Sequence, residues 1–301
     1  MTATLAAPLD RRAGLTAVVA AALLWGTGGL AGAAVQAGSG MGAAALGATR
    51  LGIAAAVLLA AGRSPAAPGR LARVAAPARL LTIGIGLGSY QAWYFAGVRH
   101  AGVATATLVA LGGAPVLVGV ADAVRGRGEG GRTWSHTGLA LVGLALLVGV
   151  HATDAAGSWT GVGFATAAAV SYAVVALTGR AGGDRDDDPR RRTGLAFALG
   201  GSVLGPIALA DGGSATVDLT TAGLLLYLGV VPTAVAYHLF FRGLQAVGPS
   251  RATLVTLLEP LTATALAVGF LHERLRPSQL LGGTLLLLAV VGTSRPGNGT
   301  R

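Results

Sequence analysis

The chain contains no cysteine and no lysine, and only 11% of its 301 residues are charged. The absence of cysteine excludes thiol nucleophiles, zinc–cysteine clusters and disulfides together. The absence of lysine leaves the whole positive charge on 22 arginines, which suits a GC-rich coding bias better than a nucleic-acid footprint. A net charge of +10 could suggest nucleic acid, but no polar stretch is long enough to build a binding domain. A soluble protein carries charge on about a quarter of its residues. This chain has less than half of that, so lipid must replace water over much of its surface. Neither H-E-x-x-H nor G-x-S-x-G occurs.

What is present is apolar sequence in long runs. Hydrophobic residues make up 53% of the chain, and the mean hydropathy is +0.67. A bilayer core about 30 Å thick takes roughly 20 apolar residues in a helix. Ten windows meet that length: 14–36, 41–62, 80–98, 101–124, 134–153, 158–179, 193–210, 219–241, 252–271 and 278–294. Backbone amides in lipid must bond within their own segment, so long, non-alternating runs point to helices rather than barrel strands. The first run carries the positive flank of a signal peptide in Arg11 and Arg12. It exceeds an h-region of roughly 7 to 15 residues, and reads as a retained first span.

Arginine placement orients the spans. With the N-terminus cytoplasmic, eighteen arginines fall on inside segments, among them Arg63, Arg70, Arg73, Arg79, Arg125, Arg180 and Arg190 to Arg192. Only Arg99, Arg274 and Arg276 fall outside. That asymmetry predicts a multi-pass protein of the cell membrane with both termini cytoplasmic.

The chain also repeats itself. "YFAGVRHAGVATATLVALGGAP" (Tyr94 to Pro115) aligns with "FFRGLQAVGPSRATLVTLLEP" (Phe240 to Pro260). Gly97 falls on Gly243, Gly102 on Gly248 and Thr107 on Thr253, and one residue drops out before the prolines. A weaker echo lays "AALLWGT" (Ala21 to Thr27) over "AAVSYAV" (Ala168 to Val174). The expected architecture is therefore an all-α polytopic membrane protein with ten transmembrane helices. They form two five-helix repeats, 14–153 and 158–294. Five is odd, so the halves face opposite ways, an inverted plan that places a substrate site near the midplane between them.

"LLWGTGGL" in span 1, Arg50 in span 2, and "LLEPLTATALAVGFLHERLRPSQLLGGTLLLLAVVG" (Leu257 to Gly292) resemble the EamA-like drug/metabolite transporters. The resemblance covers roughly residues 14–294 and is carried best by Glu259-Pro260, Glu273 and the glycine-rich start of span 10. The first half departs from it: "DAVRGRGEGGRTWSHTG" has no close match to "HERLRPSQ". The resemblance implies an exporter-type carrier of small metabolites. It names a plan, not a ligand.

Charged and aromatic residues at membrane depth supply the candidate site. Arginine at a helix centre costs about 2.5–3.5 kcal/mol, and each Leu, Ile or Val returns about 0.3–0.6. Six such residues around Arg50 offset it and little more, so Arg50 must face protein or water. It could meet a substrate carboxylate or order the bundle. Glu259 precedes Pro260, which removes the N–H that would bond the Thr256 carbonyl. Its carboxyl could hold a proton or an amine, stand in an ion pair with Arg50, or merely accompany a kink. Tyr90, Gln91, Trp93 and Tyr94 form an aromatic-polar cluster, with Tyr237 and His238 in the corresponding span of the second half. Tyr90 and Tyr94 share a helical face, and Trp93 is expected to join them; a Trp/Tyr belt at the interface is the bland alternative. Trp25 and Thr27 lie in span 1, and His238 is either a proton relay or a structural histidine.

Other patterns fail on context. "GRGEGG" (Gly126 to Gly131) follows a membrane helix and not a strand. "DRDDDP" (Asp184 to Pro189) has proline where a calcium loop requires glycine. No metal site, cofactor or catalytic set is expected. The expected partners are a small-molecule substrate, the bilayer and protons as a coupling ion, with nucleic acid excluded. The function these observations favour is a secondary transporter exporting a small metabolite such as an amino acid by alternating access. A sugar or nucleotide-sugar carrier is the alternative within transport, and an intramembrane enzyme or sensor lies outside it.

Overall fold

The computed structural model describes residues 9–62, 77–127, 131–149, 159–180, 189–211, 215–271 and 275–294. Among the described residues all regular structure is helical: α1 (Arg11–Ser39), α2 (Ala43–Ala61), α3 (Pro77–Val124), α4 (Gly131–Val148), α5 (Trp159–Gly179) and α6 (Pro189–Ala210). There follow α7 (Leu219–Gly229), a π-helical segment (Val230–Val235), α8 (Ala236–Val247), α9 (Pro249–Val255), α10 (Leu258–Leu271) and α11 (Pro277–Ser294). Glu273, the loop 181–188 and the C-terminal tail lie outside the described residues. Side chains cap the helices where the chain is polar. The Asp10 carboxylate accepts the Ala13 N–H at 2.7 Å, and that of Asp218 accepts the Thr221 N–H at 2.8 Å.

Seven helices among the described residues are long and apolar enough to cross a membrane: Arg11–Ser39, Ala43–Ala61, Pro77–Val124, Trp159–Gly179, Pro189–Ala210, Leu219–Val247 and Pro249–Phe270. Trp134–Val148 and Pro277–Thr293 are shorter apolar helices. Large apolar side chains stay exposed around the bundle, including Ile85, Val142, Leu226, Phe270 and Leu288. Such a coat has no place in water. The protein is a multi-pass membrane protein.

Element boundaries depart from the sequence expectation where proline and glycine act. The windows 80–98 and 101–124 are one helical stretch broken at Gly102, whose φ of 80° and ψ of 162° suit glycine alone. Gly248, between α8 and α9, adopts nearly the same backbone, φ 84° and ψ 159°. The window 219–241 continues to Val247, through the π segment. The cause is Pro232, which has no N–H for the Leu228 carbonyl. The helix widens there, and the buried Thr233 hydroxyl donates to that same carbonyl at 2.7 Å.

The window 252–271 is corrected more deeply. It is two helices, α9 and α10, separated by a turn at Thr256–Leu257. The Thr256 carbonyl, expected to be left free by Pro260, accepts the Glu259 N–H at 2.9 Å. The chain tightens to i→i+3 bonds and satisfies the group that the proline would have orphaned.

The helices pack α1 on α8 and α10, α2 on α6, α3 on α5 and α6, and α4 on α11. The main core centres on Val18, Leu51, Leu87, Phe197, Leu204, Phe240 and Leu244. A second core holds Leu144, Leu254, Leu257 and Leu286. At the α4–α11 contact the backbones touch: a Cβ on Gly282 would sit 2.6 Å from the Gly143 carbonyl oxygen.

Candidate functional site

Where α1, α2, α3, α5, α8 and α10 converge they enclose a cavity of about 130 Å³. Its wall consists of Trp25, Arg50, Tyr90, Gln91, Tyr94, Phe95, Leu111, Tyr172, Tyr237 and Glu259. Seven of these are residues that the sequence nominates: Trp25, Arg50, Tyr90, Gln91, Tyr94, Tyr237 and Glu259. They come from five different helices and both ends of the chain. A cavity of this size is comparable to the roughly 150 Å³ spaces that hold a benzene-sized molecule. It is well below the roughly 300–1,000 Å³ of drug-sized pockets.

The aromatic wall is continuous. Trp25 meets Tyr237 edge-on at a centroid distance of 4.8 Å, and Tyr90 meets Tyr172 at 5.5 Å and stacks on Tyr94 at 6.1 Å. Phe240 lies behind, 5.2 Å from Trp25 and 6.2 Å from Tyr172, so the ring set is held from the core side. Hydroxyls fix the ring ends: Tyr94 Oη pairs with Thr107 Oγ1 at 2.9 Å, and Tyr172 donates to Thr256 Oγ1 at 3.2 Å. Small residues make the space. A Cβ on Gly47 would come within 2.9 Å of Leu204 Cδ1 and 3.1 Å of Gln91 Oε1, so a larger residue would push these side chains aside.

Two opposite charges share this wall without joining. Arg50 on α2 and Glu259 in the first turn of α10 are both half-buried. Among the described residues no ion pair within 4.0 Å links them, so the standing pair considered from sequence is not formed in this conformation. Arg50 Nε and Trp25 Nε1 are buried with no hydrogen-bond partner among the described residues. Orphaned donors of this kind are rare in folded proteins and call for an explanation at each site.

Three nominated residues are not in the wall. Thr27 donates to the Leu24 carbonyl at 2.6 Å and accepts the Tyr227 hydroxyl at 2.6 Å, tying α1 to α7. Trp93 does not join Tyr90 and Tyr94; it is 41% exposed and stacks on Phe164 at 5.7 Å. His238 is half-buried, one residue and therefore about 100° around α8 from Tyr237. Phe95, Leu111 and Tyr172 were missed. For Tyr172 a signal existed: the weak echo places it on Trp25, and both rings face the same cavity. Among the described residues no cluster of three metal-ligating side chains occurs.

This arrangement sets two opposite charges and a ring of aromatic side chains around one space between helices, which suits binding. The profile of the EamA-like transporter family matches residues 159–295. "Uncharacterized transporter YwfM" of Bacillus subtilis (strain 168) is 33% identical over 203 residues, covering 67% of this chain and 68% of that protein. The chain belongs to the EamA-like transporter family. A second relative of this EamA-like protein, an "Uncharacterized transporter" of Archaeoglobus fulgidus, is 32% identical over 201 residues, 66% of this chain and 69% of its own. The fold recurs in a solved crystal structure with a TM-score of 0.73 and 22% identity, which covers 93% of this chain and 96% of that one. The EamA-like chain is thus a membrane transporter, as the sequence resemblance implied.

Proposed function

We propose that this EamA-like transporter exports a compact zwitterionic or anionic metabolite, such as an amino acid, by alternating access between two inverted five-helix halves. The observation that carries the proposal is the cavity: Arg50 and Glu259 face one small aromatic-walled space without pairing with each other. Arg50 offers a cationic contact for a carboxylate, and Glu259 one for an ammonium group or a coupling proton. The rings of Trp25, Tyr90, Tyr94, Tyr172 and Tyr237 cover the remainder of the ligand, and Gln91 adds a neutral polar contact. A cavity near 130 Å³ favours this class over a nucleotide sugar. The outward direction rests on the family resemblance.

Three observations support the ten-span, inverted arrangement. An unbroken helix of 48 residues would run about 72 Å, over twice the bilayer core, whereas the break at Gly102 lets α3 cross twice. Gly102 and Gly248, aligned by the echo, share one unusual backbone conformation. The packing is also self-consistent under exchange of the halves. Span 1 lies on spans 8 and 9, as α5 lies on both arms of α3 through Gly97 and Gly113, while spans 2 and 7 and spans 5 and 10 pair with each other.

The test is uptake and efflux of labelled amino acids and sugars in proteoliposomes, with and without a proton gradient. Transport of a small amino or carboxylic acid that Arg50→Gln abolishes is the expected result. Sugar transport that Arg50→Gln leaves intact would overturn the substrate class. Orientation is read from single cysteines: one at residue 67 is expected to label from the cytoplasm and one at Gly38, which is exposed, from outside.

A further inference from the structure

At the far end of α3, away from the cavity, a buried carboxylate joins three helices. Asp122 is 5% exposed; its Oδ2 accepts the Ser250 hydroxyl at 2.7 Å, and its Oδ1 faces Arg180 Nη1 at 3.4 Å. Asp122 belongs to the first half of the chain, whereas Arg180 follows α5 and Ser250 opens α9, both in the second. One acid therefore ties the first half to two helices of the second. A carboxylate this buried is stable only while its partners stay in place.

Between Asp122 and the cavity the same face of α3 carries Val118 and Ala114, both 0% exposed, and then Leu111 in the cavity wall. Buried apolar side chains therefore occupy this face of α3 between the cavity and the Asp122 end. The opposite end is built differently. At the echo's spacing, Asp122 corresponds to Ala267, Val118 to Ala263, Ser250 to Ala104 and Arg180 to Ala33. None of these four is buried, and none has a polar side chain.

We infer that Asp122, Ser250 and Arg180 form a charged polar lock on one end of the transport path, which must open in every cycle, while the other end is held by apolar contact and by hydrogen bonds between neutral groups only, such as Tyr227 to Thr27. The inference rests on the alternating-access proposal above. Its consequence is a bias: with the lock intact the transporter prefers the state sealed at the Asp122 end. Rupture requires losing a charge-assisted hydrogen bond and an ion pair together, whereas the hydrogen bonds at the opposite end, Tyr227 to Thr27 and the Thr216 N–H to the Ser39 carbonyl, join neutral groups and cost less to break.

The experiment uses the full chain, which has no native cysteine, in membrane vesicles of both orientations. Single cysteines replace Val118 or Ala263, and a charged, membrane-impermeant methanethiosulfonate reagent is the probe. With the lock intact, Val118→Cys is expected to react slowly from both sides. Adding Ser250→Ala or Asp122→Asn should speed its labelling about tenfold from one side only, equivalent to about 1.4 kcal/mol of conformational shift. The same changes should slow labelling of Ala263→Cys. Arg180→Lys, which keeps the cation, should restore most of the protection that Arg180→Ala removes. Unchanged labelling of both cysteines in Ser250→Ala, a mild variant that deletes one hydroxyl, overturns the lock. Labelling needs no substrate, so that failure is separable from failure of the substrate proposal. Arg50→Gln could still abolish transport with the lock disproved, and the lock could shift accessibility in a protein whose substrate is neither acid nor zwitterion.

Discussion

After Gly102 the helix runs without interruption to Val124, carrying Pro115 in its interior; after Gly248 it lasts seven residues, breaks at Thr256–Leu257 and starts again at Leu258. The two segments begin from the same backbone conformation and share a Thr…Pro pattern, yet the second has one residue fewer between threonine and proline. In a helix one missing residue turns everything after it by about 100°. The break at Thr256–Leu257 is where the chain absorbs that turn. Its result is chemical: Glu259 falls in the first turn of a helix and lines the cavity, while Ala114 at the equivalent place is mid-helix and fully buried. Two segments of one pattern have thus diverged, one into a sealing wall and the other into the carrier of the cavity's only acid among the described residues.

The largest effect is expected at the charge that has no counterpart in the other half. Arg50 corresponds at the 147-residue spacing to Phe197, a fully buried ring, so nothing across the repeat can replace it. Arg50→Gln should lower transport at least about 100-fold, the order expected when a charge-assisted contact is lost. Proteoliposome flux measures this, with detergent-extracted yield as the control for insertion. Undiminished flux would make the arginine a packing residue and the two halves chemically equivalent.

Next come the two glycines. Gly102→Ala and Gly248→Ala each force a side chain into a conformation almost restricted to glycine, costing about 1–3 kcal/mol. A Cβ at either position meets no neighbouring atom within 4 Å, so the cost is backbone strain alone and should be similar at both. Thermal unfolding in detergent reads the pair. A loss at one and none at the other breaks the equivalence of the two segments.

Glu259→Gln sharpens the comparison at the point of divergence. Glutamine keeps the shape of the protonated acid and can release nothing. Gradient-driven accumulation should fall about tenfold while exchange of substrate for substrate continues. Normal accumulation by a well-folded Gln variant would remove Glu259 from coupling.

The smallest effect is at a cap. The Thr221 N–H holds the Asp218 carboxyl below its usual pKa, since the hydrogen bond favours the charged form. A lowered folded pKa adds stability above the unfolded value of about 3.9, and that stability is lost as pH falls through the folded value. Asp218→Ala should therefore lower the thermal midpoint slightly at pH 7 and not at all in strong acid. An equal difference at both pH values would show that the cap acts by shape and not by charge.

Much of this was legible in residue order. Apolar run length located the helices, because a backbone in lipid must bond its own amides and long, non-alternating runs do so as helices. Arg50 and Glu259 stood out because charge at membrane depth is costly and needs a reason. What could not be read was direction around each helix. Trp93 and His238 sit beside cavity residues in sequence and turn away from the cavity in space, since Phe164 on α5 offers Trp93 a stacking partner. Phe95 and Leu111 carry no charge and no motif, so only convergence of the helices reveals them, whereas Tyr172 was signalled faintly by its alignment with Trp25.

By itself the sequence determined an all-helical membrane protein, because solvation in lipid constrains composition segment by segment, and the resemblance of its motifs pointed to the EamA-like transporters. Only the tertiary structure decided which side chains meet: that Arg50 and Glu259 share a cavity without pairing, that Thr256 keeps a partner despite Pro260, and that Asp122 fastens one end of the bundle. The reason is geometric. Lipid acts on each helix alone, whereas a cavity and a lock are made of contacts between residues far apart in the chain, such as Trp25 and Tyr237. Those depend on how the helices are rotated and packed, and rotation is set by neighbours on other helices.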